Sequence, residues 1–270
     1  MAGWLRGTGA FALYRTLAFP ERRRHQRFET IFFRRLFASM NVPPRLVFDI
    51  GANAGDKTEA FRKCGARVVA VEPTPQSAQY MRMLYRADGG TIVVERAVSD
   101  SPGIATLYIV AIFGAMNTIS PKCRDSFENG PVRRTADGSV PRIEGQVQVQ
   151  TITLDSLIQE HGIPDYIKID VEGHEISVLN GLSCAVALLS FEANLPEFRA
   201  ETVSCIERLG TLCPDAAFNF REHADLLLPG WISALEMRRD VLETDRTYME
   251  IFFRCPAVGP GLNSCSINGQ

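Results

Sequence analysis

The chain has 270 residues, 46% hydrophobic and 22% charged, a balance that fits a folded globular protein and excludes a low-complexity or disordered one. Its net charge of −2 hides an asymmetry: residues 1–45 carry nine arginines against two glutamates, which leaves the remainder at about −9. No run approaches the ~18 apolar residues of a membrane-spanning helix, so no transmembrane segment is expected.

Seven scattered cysteines without a C-x-x-C pair argue against a disulfide framework or a structural zinc site, and favour a reducing, cytoplasmic setting. The apolar run at 11–19 is broken by Arg15 and lacks a small-residue cleavage signature, so it does not read as a signal peptide.

Taken in order, residues 1–20 read as a loosely ordered lead-in. Residues 21–40 then form a helix whose apolar stripe joins Phe28, Ile31, Phe32 and Leu36, widened by Phe33, Phe37 and Met40. That stripe is expected to pack on the body of the domain or on a second copy of the chain, so a homo-oligomer through this helix is an open expectation. Strands are predicted at 46–50, 67–71, 91–95 and 103–110, with helices at 56–64 and 75–86. Residues 111–145 are the least regular stretch and read as a long loop. A strand at 147–153 is expected to pair with 103–110, followed by a helix at 154–161. Further strands are placed at 165–170, 187–192, 216–220, 226–228 and 248–254, and helices at 174–181 and 196–209. Alternation of strands and helices predicts an α/β domain over 46–255, with a basic helical extension at 1–45 and a flexible tail at 256–270.

Residues 46–73 carry the first chemistry. A strand ending in Asp49 leads into Gly51-Ala-Asn-Ala-Gly55-Asp56-Lys57-Thr58, and the next strand stops at Glu72. Strand, glycine turn, helix, strand and acid is how a doubly wound domain holds a nucleoside cofactor. A P-loop would need glycine where Asp56 stands, and a dinucleotide fingerprint would need glycines where Asn53 and Asp56 stand. The two acids suit instead a ligand with a cationic amine and a ribose diol.

That pattern resembles the D-x-G-x-x-x-G motif of S-adenosylmethionine-dependent methyltransferases. E-R-A-V-S-D-S-P-G (95–103), T-I-T-L-D-S-L-I (151–158), I-K-I-D-V-E-G-H-E-I-S-V-L-N-G (167–181) and L-S-F-E (189–192) follow in order. Together they resemble the FkbM-type methyltransferases over about residues 46–195. The resemblance implies a Rossmann-like class I methyltransferase fold: a mostly parallel seven-stranded sheet, helices on both faces, and an extra β-hairpin. It implies an O-methyltransferase acting on hydroxyls of sugars or natural products, with S-adenosyl-L-methionine held by Asp49, Gly51, Asn53, Gly55, Thr58, Glu72, Pro73, Ala97, Val98, Ser99 and Asp170.

Methyl transfer from a sulfonium requires alignment of the acceptor oxygen and removal of its proton. Asp170, at the carboxyl end of its strand, followed by Glu172 and His174, offers two routes. Asp170 or His174 serves as general base, or Asp170 and Glu172 hold a divalent cation such as Mg that acidifies the hydroxyl. Glu192, ending the next strand on the same rim, and Asn117, in the loop, are candidate contacts to the acceptor. A small-molecule hydroxyl acceptor and no nucleic acid are the expected partners. Two alternatives stay open: a catalytically silent adaptor that keeps the cofactor fold, and an N-methyltransferase, whose usual Asn/Asp-Pro-Pro-aromatic signature is absent.

Overall fold

The computed structural model describes residues 20–40, 44–110, 116–130, 140–222 and 228–258. The predicted lead-in before residue 20, most of the tail, and two of the three residues of the strand expected at 226–228 lie outside these. In chain order the first half contains α1 (Pro20–Ser39), β1 (Leu46–Ile50), α2 (Asp56–Lys63), β2 (Arg67–Val71), α3 (Pro75–Leu84), β3 (Thr91–Val94), β4 (Ala97–Val98), β5 (Gly103–Val110) and α4 (Pro121–Asn129). The second half contains β6 (Ile143–Ile152), α5 (Leu154–His161), β7 (Tyr166–Ile169), α6 (Glu175–Asn180), β8 (Leu188–Asn194), α7 (Arg199–Leu212), β9 (Ala217–Arg221), β10 (Ile232–Ser233), α8 (Ala234–Glu243) and β11 (Tyr248–Arg254).

β1 is buried along its whole length because it sits at the middle of the sheet, paired in parallel with β2 on one side and β7 on the other. Strands covered on both faces read as continuous apolar runs, which is why L-V-F-D-I and R-V-V-A-V are readable as strands. The full order is β10-β9-β11-β8-β7-β1-β2-β3. β3, β2, β1, β7 and β8 run parallel, whereas β11 pairs antiparallel with both β8 and β9, and β10 pairs antiparallel with β9.

One face of the sheet is covered by α1, α2 and α3. There Phe32, Phe33, Leu36 and Phe37 of α1 pack with Phe61, Met81, Tyr166 and Phe252. On the other face, Leu157, Ile158, Leu179, Ile206, Leu209, Met237 and Val241, from α5 to α8, form the larger core with the alternate sheet residues. Two helical layers around one sheet complete an α/β sandwich.

Several expectations are corrected. The main sheet has eight strands rather than seven, with β10 and β11 running against the other six. The expected extra hairpin, β5 with β6, does not extend that sheet; with β4 it forms a separate three-stranded sheet, because Ala97–Val98 leaves the main sheet after β3 and pairs in parallel with Thr151–Ile152. α8 was not predicted, although Ser233 and Glu236 form a reciprocal capping box at its start. α4, begun by Ser120 capping Cys123 with Pro121 at the first position, lies inside the stretch read as loop.

The cysteine reading also changes. Cys213, after α7, is joined by a disulfide to Cys255, after β11, and Cys184 is disulfide-bonded as well. Cys213 and Cys255 lie 42 residues apart and meet only because β11 returns beside β8 and β9, a contact that spacing cannot announce. No described helix is long and apolar enough to cross a membrane.

Phe33 is fully buried and meets the rings of Phe32, Phe37, Phe61 and Tyr166, while Phe28 on the same helix is 54% exposed. Phe33→Ala should therefore cost about 3–5 kcal/mol in urea unfolding, and Phe28→Ala less than about 0.5 kcal/mol. Equal small losses would show that α1 is not part of the cooperative core.

Candidate active site

The turn after β1 approaches the sheet very closely. Gly51, Asn53 and Gly55 all adopt left-handed backbone angles, φ 81°, 47° and 80°. A Cβ on Gly51 would lie 1.8 Å from the Asp170 carbonyl oxygen, so only glycine lets the β1 turn and the end of β7 meet. The Gly51 and Ala52 amides donate to the Val71 carbonyl at 2.9 and 3.0 Å, tying the same turn to the end of β2. Three adjacent parallel strands thus end together at the rim where open α/β sheets bind ligands.

Glu72, just past β2, is buried and accepts from the Asn53 amide at 2.8 Å and from the Thr74 amide at 2.7 Å. Its two oxygens are fixed by backbone, which aims the carboxylate while leaving further lone pairs for a ligand. Across the rim, Asp170, Val171 and Glu172 leave β7; Glu172 and Gly173 are left-handed, φ 54° and 87°. A Cβ on Gly173 would meet the Phe198 ring at 2.6 Å.

A strap closes the top. Asn117 accepts from the Val110 amide at 2.9 Å and donates to the Thr74 hydroxyl at 3.1 Å, while the buried Thr118 hydroxyl donates to the Glu172 carbonyl at 2.8 Å. The strap therefore bridges the lips that follow β2 and β7. Beneath it lies a cleft, partly open to solvent, with Gly51, Asn53, Glu72, Pro73, Ala97, Val98, Asn117, Asp170 and Glu172 in its walls.

Nine of the sequence-predicted residues thus meet in one cleft. The others lie just behind it. Asp49 is buried under the turn and accepts from the Thr58 hydroxyl, so this pair holds the turn rather than facing the cavity. Gly55 shapes the start of α2 against Tyr85, whose hydroxyl donates to its carbonyl at 3.1 Å. Ser99 and His174 are 3.0 Å apart outside the cleft lining, and Glu192 sits beside Lys168 at 3.0 Å. Sequence reading missed the apolar walls, Ile50, Val71, Leu107, Ile119 and Val171, together with Arg96. It also missed Lys168, fully buried one step before Ile169. The signal for Lys168 was present: a lone lysine in an otherwise apolar strand needs buried anions.

Asp170, Glu172 and Glu175 are pushed toward the neutral form by their surroundings, whereas Glu192, where burial is outweighed chiefly by Lys168, is lowered. Burial, then the neighbouring Glu192 charge, pushes Asp170 up to about 8, partly offset by Lys168 and Lys57; its side chain keeps 27% exposure, so the shift reflects a deep cleft rather than full removal from water. Burial, with Asp170, Glu192 and Glu175 close by, drives Glu172 well above the usual range, and burial lifts Glu175 to about 7. Burial also raises Glu72 and lowers His174, so the imidazole is neutral. Carboxyls raised in this way around a cavity complement a cationic ligand, whose charge would let them ionise. Among the described residues, no three His, Cys, Asp or Glu side chains are arranged to hold a metal ion, so the divalent-cation route at Asp170 and Glu172 lacks its ligand set.

The chain matches the family model described as the methyltransferase FkbM domain over residues 49–227. A curated relative, the hexuronic acid methyltransferase AglP of Haloferax volcanii, is 28% identical over 149 residues, 54% of this chain, and the chain spans about half (53%) of that relative's length. Solved structures of similar shape include the plantazolicin methyltransferase BpumL with a substrate analogue and SAH (9% identity, 90% of this chain and 88% of that one, TM-score 0.42). The precorrin-6y C5,15-methyltransferase of Geobacter metallireducens is another (11% identity, 82% and 86%, TM-score 0.38).

The raised carboxyls carry a stability consequence. Unfolded, Asp and Glu ionise near their ordinary values of 3.8 and 4.5, whereas folded Asp170 and Glu175 hold their protons to about 8 and 7. Between these limits the folded state binds more protons, so stability falls as pH rises. Asp170→Asn removes its share of that loss. Its gain in melting temperature over the parent should be larger at pH 8 than at pH 5 in ligand-free protein; a gain independent of pH would contradict the assignment.

Proposed function

We propose that this chain, which belongs to the FkbM methyltransferase family, transfers a methyl group from S-adenosylmethionine to a hydroxyl of a sugar or related natural product. The observation that carries the reading is a single cleft with a fixed carboxylate at one end, Glu72, and proton-holding carboxyls at the other, Asp170 and Glu172.

The residues present fit the cofactor. Glu72 is placed to accept from ribose hydroxyls, and Val98, Leu107 and Ile119 offer apolar walls for adenine. The Gly51–Gly55 turn and Asp170 suit the ammonium-bearing methionine end. When bound, S-adenosylmethionine supplies an electrophilic methyl on a positively charged sulfur. The chain's own contribution is to orient, to exclude water and to take up a proton. The strap from Asn117 to Thr118 covers the cleft between the β2 and β7 lips and limits water access to it.

Asp170 serves as the general base, because it lines the cleft and its affinity for a proton lies near neutral pH, where proton transfer is most effective. His174 is the weaker candidate: its Nε2 is engaged with the Ser99 hydroxyl, away from the cleft lining. The name of the curated relative supports a sugar acid as acceptor class. A sugar acid offers hydroxyls and a carboxylate; methylating a hydroxyl needs a base, and methylating a carboxylate does not.

Three outcomes test the reading. Glu72→Gln should weaken S-adenosylhomocysteine binding by about 10- to 100-fold in calorimetry, as expected for losing a charge-assisted contact; unchanged affinity would remove Glu72 from the cofactor site. With hexuronates, neutral hexoses and glycosylated polyketides offered alongside labelled cofactor, the transferred methyl should resist mild alkali, as an ether does. Alkali-labile label would mark a carboxylate acceptor, and cofactor binding without transfer to any acceptor would favour the adaptor. The rate should rise with pH to a plateau at or below about 8, since the bound cation favours the Asp170 carboxylate. Asp170→Asn should lose that limb and about 10²- to 10⁴-fold in kcat.

A further inference from the structure

Under the rim runs a buried chain of alternating charges that neither the resemblance nor the cleft explains. Lys57 of α2 donates to Glu29 of α1 at 2.6 Å; Arg221 at the end of β9 donates to the same Glu29 oxygen at 2.9 Å and to Glu250 of β11. Glu250 also accepts from the Ser190 hydroxyl at 2.8 Å and lies 3.8 Å from the Lys168 ammonium. Lys168 then reaches upward, to Glu192 at 3.0 Å and Asp170 at 3.4 Å. Its ammonium has no exposure to water, and its remaining near contact is the Ile169 carbonyl at 3.3 Å.

Three cations, Lys57, Arg221 and Lys168, are thus matched by three anions, Glu29, Glu250 and Glu192. Asp170 is the one carboxyl at the top of the chain without a cation of its own. An unpaired lysine this deep would be costly, and a buried ion pair adds little net stability over apolar packing. A lysine retained here at the foot of the cleft has a role in geometry.

We propose that Lys168 is a positioning residue for methyl transfer: from below the rim it holds the Asp170 carboxyl group in the cleft wall, with Glu192 paired to it behind that wall. The inference rests on the proposed reading of Asp170 as the base and deepens it. It also gives the N-terminal helix a part in the site, since Glu29 anchors the far end of the chain through Arg221.

Lys168 is faced by Asp170 beyond β7, Glu192 and Ser190 from β8, Tyr248 and Glu250 from β11, with Arg221, Lys57, Asp49, Glu172 and Tyr166 in the surrounding shell. Because Lys168→Met alone leaves the buried chain of charges one cation short and could unfold the protein, the paired variant Lys168→Met/Glu250→Gln removes one charge of each sign. In the full chain, that variant should lose about 100-fold or more in kcat at saturating cofactor. Carboxyl ¹³C NMR should show Asp170 titrating at higher pH than in the parent, because its nearest cation is gone. A folded paired variant with the parent's kcat and the parent's Asp170 titration would overturn the proposal. If the parent itself transfers no methyl to any acceptor, the proposed function has failed, and the NMR titration still decides whether Lys168 governs Asp170.

Discussion

The cleft depends on one close approach, the backbone of Gly51 against the carbonyl of Asp170. β1 is the strand on which both halves of the site converge: its neighbour β2 delivers Glu72, and its other neighbour β7 delivers Asp170 and Glu172. A side chain at position 51 would wedge these strand ends apart and separate the two acids. The left-handed angle at Gly51 makes the same demand from within the backbone. Sheet register does the rest, since Ile50 is level with Val71 and Ile169, so all three strands end together.

Below that rim the sheet is not uniformly apolar. Lys168, Glu250, Arg221 and Glu29 are all buried, and each is paired with the next. The guanidinium of Arg221 also lies over the Phe32 ring at 4.0 Å. α1 is therefore held by two different forces, the Phe32–Phe37 stripe packed on the sheet and a desolvated ion pair through Glu29. Removing one member of such a chain leaves its neighbour charged and unpartnered, which penalises any arrangement of α1 other than this one. On this helix Arg24, Arg27, Arg34 and Arg35 are exposed, whereas Glu29 is buried.

Much of this architecture is legible in the amino-acid sequence. β1, β2, β5, α5 and β11 fall where apolar runs and turn residues place them, because each depends on local pattern. The acids are legible for the same reason: Asp49, Glu72 and Asp170 each stand at or near the end of an apolar run. What escapes are facts set by distance in the chain. The pairing of Ala97–Val98 with β6, the bond of Cys213 to Cys255, and the meeting of Glu29 with Arg221, 192 residues on, have no local signature. α4 escapes because its nine residues lie among polar, mixed-charge sequence with little amphipathic signal. His174 shows the opposite error. Its spacing after Asp170 and Glu172 suggests a shared site, but the left-handed turn at Glu172 and Gly173 carries it round to Ser99.

The carboxyl groups at the rim work against the fold that holds them. Asp170 and Glu172 lie close to each other and to Glu192, in a cleft where burial already penalises charge, so the ligand-free protein keeps protons it would lose in water. Apolar residues there would avoid this strain but would leave nothing to receive a proton. A group that keeps its proton near neutral pH without a cationic ligand, and releases it when one arrives, is prepared for proton transfer only once the cofactor is in place. On the proposed reading of Asp170 as the base, the same electrostatics that cost stability would couple cofactor binding to its appearance. Lys168 opposes the shift: buried and unscreened, its charge holds Asp170 lower than burial and Glu192 alone would, so without it Asp170 would keep its proton to higher pH still.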